Sequence, residues 1–186
     1  SANALNFSLR GQTVDSFSSS RPSVLPYFNE IQVGGSASTA FYDLASVQVL
    51  KGPQGTLFGR NSTGGAVLFS TAKPTNTVGG YASIWGGNYD EIKAEGAVNI
   101  PIVDDKILLR LSGFYQRRDG YQYNIFDQSR LGDVRRENFR ISLTVNPTPE
   151  ISNELVVDYG QSGGNNITSV AYNTFPVGTG NPFVPA

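Results

Sequence analysis

The chain has 186 residues, a net charge of -1 and no Cys, His or Met. Lacking Cys and His, it has no thiolate or imidazole metal site, no disulfide frame and no nucleophile paired with an imidazole, so no metal, cofactor or catalytic set is expected. The near-zero charge excludes the basic excess that phosphate binding needs, so nucleic acid is not an expected partner. Only 16% of residues are charged, while 21 are Gly and 11% are aromatic, which suits strands and tight turns. No run reaches the ~18 apolar residues of a membrane-crossing helix; a strand barrel would show no such run, because its two faces alternate.

Taken in order, Ser1-Ala2-Asn3-Ala4 shows no basic or apolar leader, and Gly180 to Ala186 reads as an unfinished loop, so a fragment is expected. Up to about residue 76 the runs are short, irregular and rich in Ser and Gly. Val47 to Leu50 reads as a short strand, and Gly52-Pro53 as a turn that opens a brief helical turn kept short by Gly55 and Gly59. Gly64-Gly65 permits positive φ or close backbone contact before a strand over Ala66 to Ser70, and Lys73-Pro74 ends it. The glycine spacing fits neither a Walker loop nor a dinucleotide fingerprint, because Lys51 precedes the glycines and no long helix follows.

A boundary is placed at about 76–79. Beyond it, segments of about ten residues alternate apolar and polar. A first strand covers Gly80 to Gly87. In the second, Ile92, Ala94, Gly96, Val98 and Ile100 share one face, while Glu91, Lys93, Glu95 and Asn99 share the other. A turn is expected at Pro101 to Asp105, where the paired carboxylates Asp104-Asp105 are read as solvated rather than as acid chemistry. Ile107, Leu109, Leu111, Gly113 and Tyr115 then alternate with Arg110, Ser112, Gln116 and Arg118. A polar loop from Asp119 to about Glu137 leads to Phe139, Ile141, Leu143 and Val145, which oppose Asn138, Arg140, Ser142 and Thr144. After a turn at Asn146 to Glu150, Leu155, Val157 and Tyr159 oppose Glu154 and Asp158. Five strands joined to their neighbours result, with tight turns at one end and large loops at the other. Periodicity alone leaves two readings open: the wall of an outer-membrane barrel with a wet lumen, or a soluble, secreted antiparallel β-sandwich acting as a carbohydrate-binding or adhesin module.

The run Ala45-Ser46-Val47-Gln48-Val49-Leu50-Lys51-Gly52-Pro53-Gln54-Gly55-Thr56-Leu57-Phe58-Gly59-Arg60-Asn61-Ser62-Thr63-Gly64-Gly65-Ala66-Val67 resembles the plug signature of TonB-dependent outer-membrane receptors. Phe7-Ser8-Leu9-Arg10-Gly11 resembles an earlier plug element, and Asp104 through Tyr121 resembles the first barrel strands. The resemblance implies a mainly β fold with an α+β plug, forming part of a plugged transmembrane antiparallel β-barrel. Residues 1–78 would be the C-terminal part of the plug and 79–186 the first, incomplete strands of a ~22-stranded barrel. It further implies a receptor rather than an enzyme, in the outer membrane of a Gram-negative bacterium. Such a receptor imports a scarce nutrient, most often an iron–siderophore chelate, with TonB, ExbB and ExbD as energy-coupling partners and membrane lipid around it.

Within that resemblance, Arg10, Gly11, Lys51, Gly52, Pro53, Gly55, Gly59, Arg60, Gly64 and Gly65 carry the plug signature. Arg10 and Arg60 are expected to face carboxylates of the barrel wall and to lock or release the plug. Gln12, Thr13, Arg21, Ser36 and Ser38 are candidate ligand contacts on apical loops, and Tyr121 and Tyr123 on a barrel loop. The chain departs from the pattern at Lys51 and Phe58, where Arg and Tyr are usual, and at Tyr27-Phe28-Asn29-Glu30-Ile31. There an Asp-Gly hairpin turn is missing, and a changed local geometry is expected.

Overall fold

The computed structural model describes residues 7–9, 24–33, 41–53, 64–124 and 128–165. Among these, every regular element is a strand. Two sheets dominate, and they solve the burial problem in opposite ways.

The small sheet is built from β1 (Val24–Phe28), β2 (Ile31–Gln32), β3 (Leu44–Lys51) and β4 (Gly65–Thr71), in the order β2-β1-β4-β3. Its centre is the parallel pair β1–β4. Both strands are near-continuous apolar runs because both faces are covered. Val24, Val67 and Phe69 gather Phe7, Leu9, Phe28, Phe41 and Leu44 in one cluster, and Leu25, Tyr27 and Ala66 gather Leu50 and Leu68 in another. β3 and β4 overrun the strands expected from the sequence by one to three residues at their ends. The helical turn expected after Pro53 lies outside the described residues.

The hairpin whose geometry was expected to change is intact. Tyr27 pairs with Gln32 and Phe28 with Ile31, leaving a two-residue turn. Asn29 and Glu30 both take positive φ, 46° and 69°, which is the requirement that Asp-Gly usually meets. Asn tolerates this region, and its side chain clips the turn to β4. The Asn29 amide donates to Thr71 Oγ1 and its carbonyl oxygen accepts from Thr71 N–H, each at 3.0 Å. Gly65, at φ 142°, has no alternative, since a Cβ there would lie 2.3 Å from the Leu50 carbonyl oxygen.

The large sheet is an antiparallel meander of β5 (Gly79–Gly87), β6 (Glu91–Val103), β7 (Ile107–Arg118), β10 (Val134–Thr148) and β11 (Ile151–Gly163). Their order across the sheet is β11-β10-β7-β6-β5. A small ribbon, β8 (Gln122–Tyr123) with β9 (Arg130–Leu131), stands in the long connection. That connection is therefore shorter and more ordered than the loop expected up to Glu137. The two tight turns are also shorter than expected. They shrink to Asp104–Lys106 and Pro149-Glu150, because β6 and β10 run on through Pro101 and Pro147. The register shifts between Pro101 and Val103 and again between Val145 and Thr148. A proline, lacking the N–H, is tolerated at such an irregularity.

The alternation read in the sequence is realised, with the apolar face outward. In β10 Arg140 is 0% and Ser142 3% exposed, while Ile141 between them is 38% exposed. Ile92, Val98, Ile100, Tyr115, Phe139, Val157 and Tyr159 are all bare on the same outer face. Asn99, Arg110, Ser112, Asn138 and Thr144 are buried on the inner one. A sandwich would hide Ile92, Leu109 and Ile141 in a shared dry interior. Here Ile92 is 52% exposed and Leu109 only half-buried, so the sandwich reading fails.

Candidate functional site

The small sheet meets the polar face of the large one at a corner, Phe41-Tyr42-Asp43, that leads into β3. Asp43 has φ 50°, uncommon for a side chain with a Cβ, and its carbonyl accepts the Ala72 N–H at 3.0 Å, tying the start of β3 to the end of β4. Burial of Tyr42 and Asp43 follows from this kink, which turns both toward the large sheet.

Cross-strand register places the receiving groups in rows. One row across the inner face is Asp158, Arg140, Ser112, Ala97, Tyr81; the next is Val156, Ser142, Arg110, Asn99, Gly79. Arg110 grips Asp43 with two bonds, Nε to Oδ2 at 2.8 Å and Nη2 to Oδ1 at 2.5 Å. Both side chains are almost fully buried, at 10% and 3% exposure. This is the planar fork geometry that Arg offers a carboxylate. Glu95 accepts the Asp43 backbone N–H at 3.1 Å and the Tyr81 hydroxyl at 2.6 Å. One row over, Arg140 donates from Nε to Asp158 at 2.7 Å and from Nη1 to the Tyr42 carbonyl at 3.0 Å. Its guanidinium also lies 4.4 Å from the Tyr42 ring centre and 5.0 Å from that of Phe28. Burial, opposed by Arg140 and reinforced by Asp158, pushes the Tyr42 hydroxyl well above the usual phenol range. Tyr42 thus stays a donor to Asp158 at any ordinary pH.

Two weaker ties follow the chain between the sheets. Lys73 pairs with Glu154 at 2.6 Å in the open, and Asn76 exchanges hydrogen bonds with Asp105 in the β6–β7 turn. The connecting segment therefore runs along the tight-turn end of the large sheet. At the opposite, long-loop end, a cavity of about 550 Å³ opens above Phe41, lined by Trp85, Lys93, Phe114, Gln116 and Arg136 among others.

Of the residues singled out from sequence, Arg10, Gly11, Gln12, Thr13, Arg21, Ser36, Ser38, Gly55, Gly59 and Arg60 lie outside the described residues. Lys51 pairs with Gly65, and Gly52 N–H bonds the Gly64 carbonyl at 3.2 Å; with Pro53 these close the ends of β3 and β4. Tyr121 and Tyr123 are exposed at the long-loop end. The Tyr121 ring is braced by Tyr89 and lies beneath the Arg118 guanidinium. Sequence reasoning missed Tyr42, Asp43, Arg110 and Arg140 as one site. The available signal was an isolated arginine at the middle of the polar face of each of two strands, together with a Tyr-Asp pair just ahead of the signature run.

No protein-family model matches the chain. Over 104 residues, 55% of the chain, it is 30% identical to the pesticin receptor of Yersinia pestis, of which this stretch is 16%. It is 34% identical over 77 residues, 41% of the chain, to the ferrioxamine B receptor of Salmonella typhimurium, covering 11% of that protein. The ferric yersiniabactin uptake receptor of Yersinia pestis superposes with a TM-score of 0.72 at 26% identity, over 79% of this chain and 23% of that one. The chain thus spans less than a quarter of each of these three proteins. A sheet that hides its arginines and bares its isoleucines is built to face lipid, and in both sequence and fold the chain is similar to TonB-dependent outer-membrane receptors of Gram-negative bacteria.

Proposed function

We propose that the whole protein binds an iron–siderophore chelate at the cell surface and imports it across the outer membrane. Residues 1–78 are the later part of its plug and 79–186 the first strands of its barrel. The observation that carries this reading is the reversed burial of the large sheet, with a second, conventionally packed sheet seated on its polar face. An ordinary soluble protein has no use for that combination. The likeness to receptors of siderophores supplies the ligand class. The protein is a transporter rather than an enzyme, and TonB, with ExbB and ExbD, supplies the pull that rearranges the plug.

In this reading the Tyr42–Asp43 corner is where the plug is held to the wall. Its polarity is the reverse of that expected for Arg10 and Arg60, since the plug brings the carboxylate and the wall the arginines. A held plug answers a pull only if the bound and empty states differ in free energy, so ligand at the long-loop end must favour one of them. The test is uptake of ⁵⁵Fe-labelled chelates by cells carrying the full-length gene as their sole receptor. Accumulation that requires both the gene and TonB is expected. Equal accumulation without either contradicts the reading.

A further inference from the structure

Asp43 is held at three of its own groups. Its carboxylate accepts from Arg110, its carbonyl accepts from the Ala72 N–H, and its backbone N–H donates to Glu95 Oε1 at 3.1 Å. The third bond is the costly one. It sets a second carboxylate beside Asp43, where like charges repel, and Glu95 enters no ion pair among the described residues. Tyr81 steadies this arrangement. Its hydroxyl lies 2.6 Å from the same Glu95 oxygen and 3.3 Å from Asp43 Oδ1. A phenol has one hydrogen to donate, and the shorter contact claims it, so Tyr81 serves Glu95.

The bond to Glu95 depends on backbone conformation. The direction of a residue's N–H relative to its Cβ is set by φ. At φ 50° the Asp43 N–H reaches β6 while its side chain reaches β7. Moving φ to an extended value of about −120° swings the N–H through roughly half a turn relative to Cβ, so the two bonds cannot both survive. The left-handed state is disfavoured for a residue with a Cβ, and a charge-assisted bond to its N–H holds the chain there.

We infer that Glu95, steadied by Tyr81, is a positioning residue for the grip of wall on plug: it keeps the Asp43 backbone in the state that presents the carboxylate to Arg110. The inference rests on the uptake reading, in which the corner must let go during import, and deepens it. Drawing the chain straight at residue 43 breaks the main-chain and side-chain bonds together, so release needs no neutralisation of either charge.

The test uses the full-length receptor, at matched amounts in the outer membrane, and entry of vancomycin, a large glycopeptide antibiotic. Glu95→Ala is expected to raise entry about fivefold or more, because an unpaired buried N–H loosens the corner with Asp43 and Arg110 both still present. Glu95→Gln keeps an acceptor oxygen and is expected to stay within about twofold of the parent, which separates the lost bond from misfolding. Tyr81→Phe is expected to act in the same direction as Glu95→Ala and less strongly. Added to Asp43→Ala, Glu95→Ala is expected to change little further, because it acts through the presentation of that carboxylate. An unchanged seal in Glu95→Ala, equal entry in Glu95→Ala and Glu95→Gln, or full addition of the Glu95→Ala and Asp43→Ala effects overturns the inference. Those results leave the uptake reading standing, which falls instead if iron accumulation needs neither the gene nor TonB.

Discussion

The two sheets are made from similar residues and bury opposite ones. The small sheet encloses Val24, Leu25, Ala66, Val67 and Phe69 and so behaves as a fragment of an ordinary core. The large sheet encloses Arg110, Ser112, Asn138, Arg140 and Ser142 and leaves Ile92, Ile141, Val157 and Tyr159 bare. The difference teaches that burial is relative to the surrounding solvent. In the proposed reading a wall strand obeys the same alternation as a soluble strand, with water and the plug on its polar side and lipid on the other. The two sheets then meet chiefly through charge, since the large sheet offers its neighbour arginines, with the Tyr42 and Phe114 rings stacked beside them. The pairing is therefore specific in position. It is also costly to break by halves, because a buried charge that loses its partner remains buried.

The largest effect is expected from Asp43→Ala. It strands the Arg110 guanidinium at the interface and should cost about 3–5 kcal/mol of docking. The double substitution Asp43→Ala with Arg110→Leu should recover much of that. Chemical denaturation of the full-length receptor, with leakage of large antibiotics into cells as a functional readout, measures both. A single mutant indistinguishable from the parent would mean that the pair does not hold the sheets together.

Next comes the contrast between two positions on the outer face of β10. Ile141→Lys puts a charge on that face and should cost about 2–4 kcal/mol near the bilayer midplane. Val145→Lys, closer to the tight-turn end, should cost about 0–1 kcal/mol if that end approaches the interface. Refolding into lipid vesicles and unfolding by denaturant gives both values. Equal costs would remove the depth dependence that a membrane imposes. The smallest effect belongs to Lys73→Ala. Its pair with Glu154 is exposed, at 70% and 44%, and should contribute no more than about 1 kcal/mol, vanishing in high salt.

Much of the large sheet was legible because its signal is local. Which face Ile141 or Ser142 takes depends only on the parity of its position. Its ends were less legible. Pro101 and Pro147 suggested turns, yet bulges carry both strands past them, and a bulge leaves no mark in composition. The Asn29-Glu30 turn was misread for a related reason. Its geometry does not need Gly when an Asn side chain can anchor itself to Thr71, 42 residues away. The Tyr42–Asp43 site was illegible for the same cause at larger scale. Asp43 and Arg110 are 67 residues apart, and Tyr42 and Arg140 98 apart. Nothing within either local stretch names the other. The signature run, by contrast, was conspicuous in sequence, and its described residues Lys51, Gly52, Gly64 and Gly65 serve to close the ends of two strands.

The reversed burial of the large sheet is tested most directly by single-cysteine spin labels at 138 to 145 of the full-length receptor in bilayers, with any cysteine elsewhere in that receptor replaced. Collision rates with oxygen, which partitions into lipid, and with a water-soluble nickel chelate are read at each position. Oxygen contact is expected to peak at Phe139, Ile141, Leu143 and Val145 and to fall at Asn138, Arg140, Ser142 and Thr144. A flat profile, or oxygen peaks at the even-numbered positions, would contradict the account.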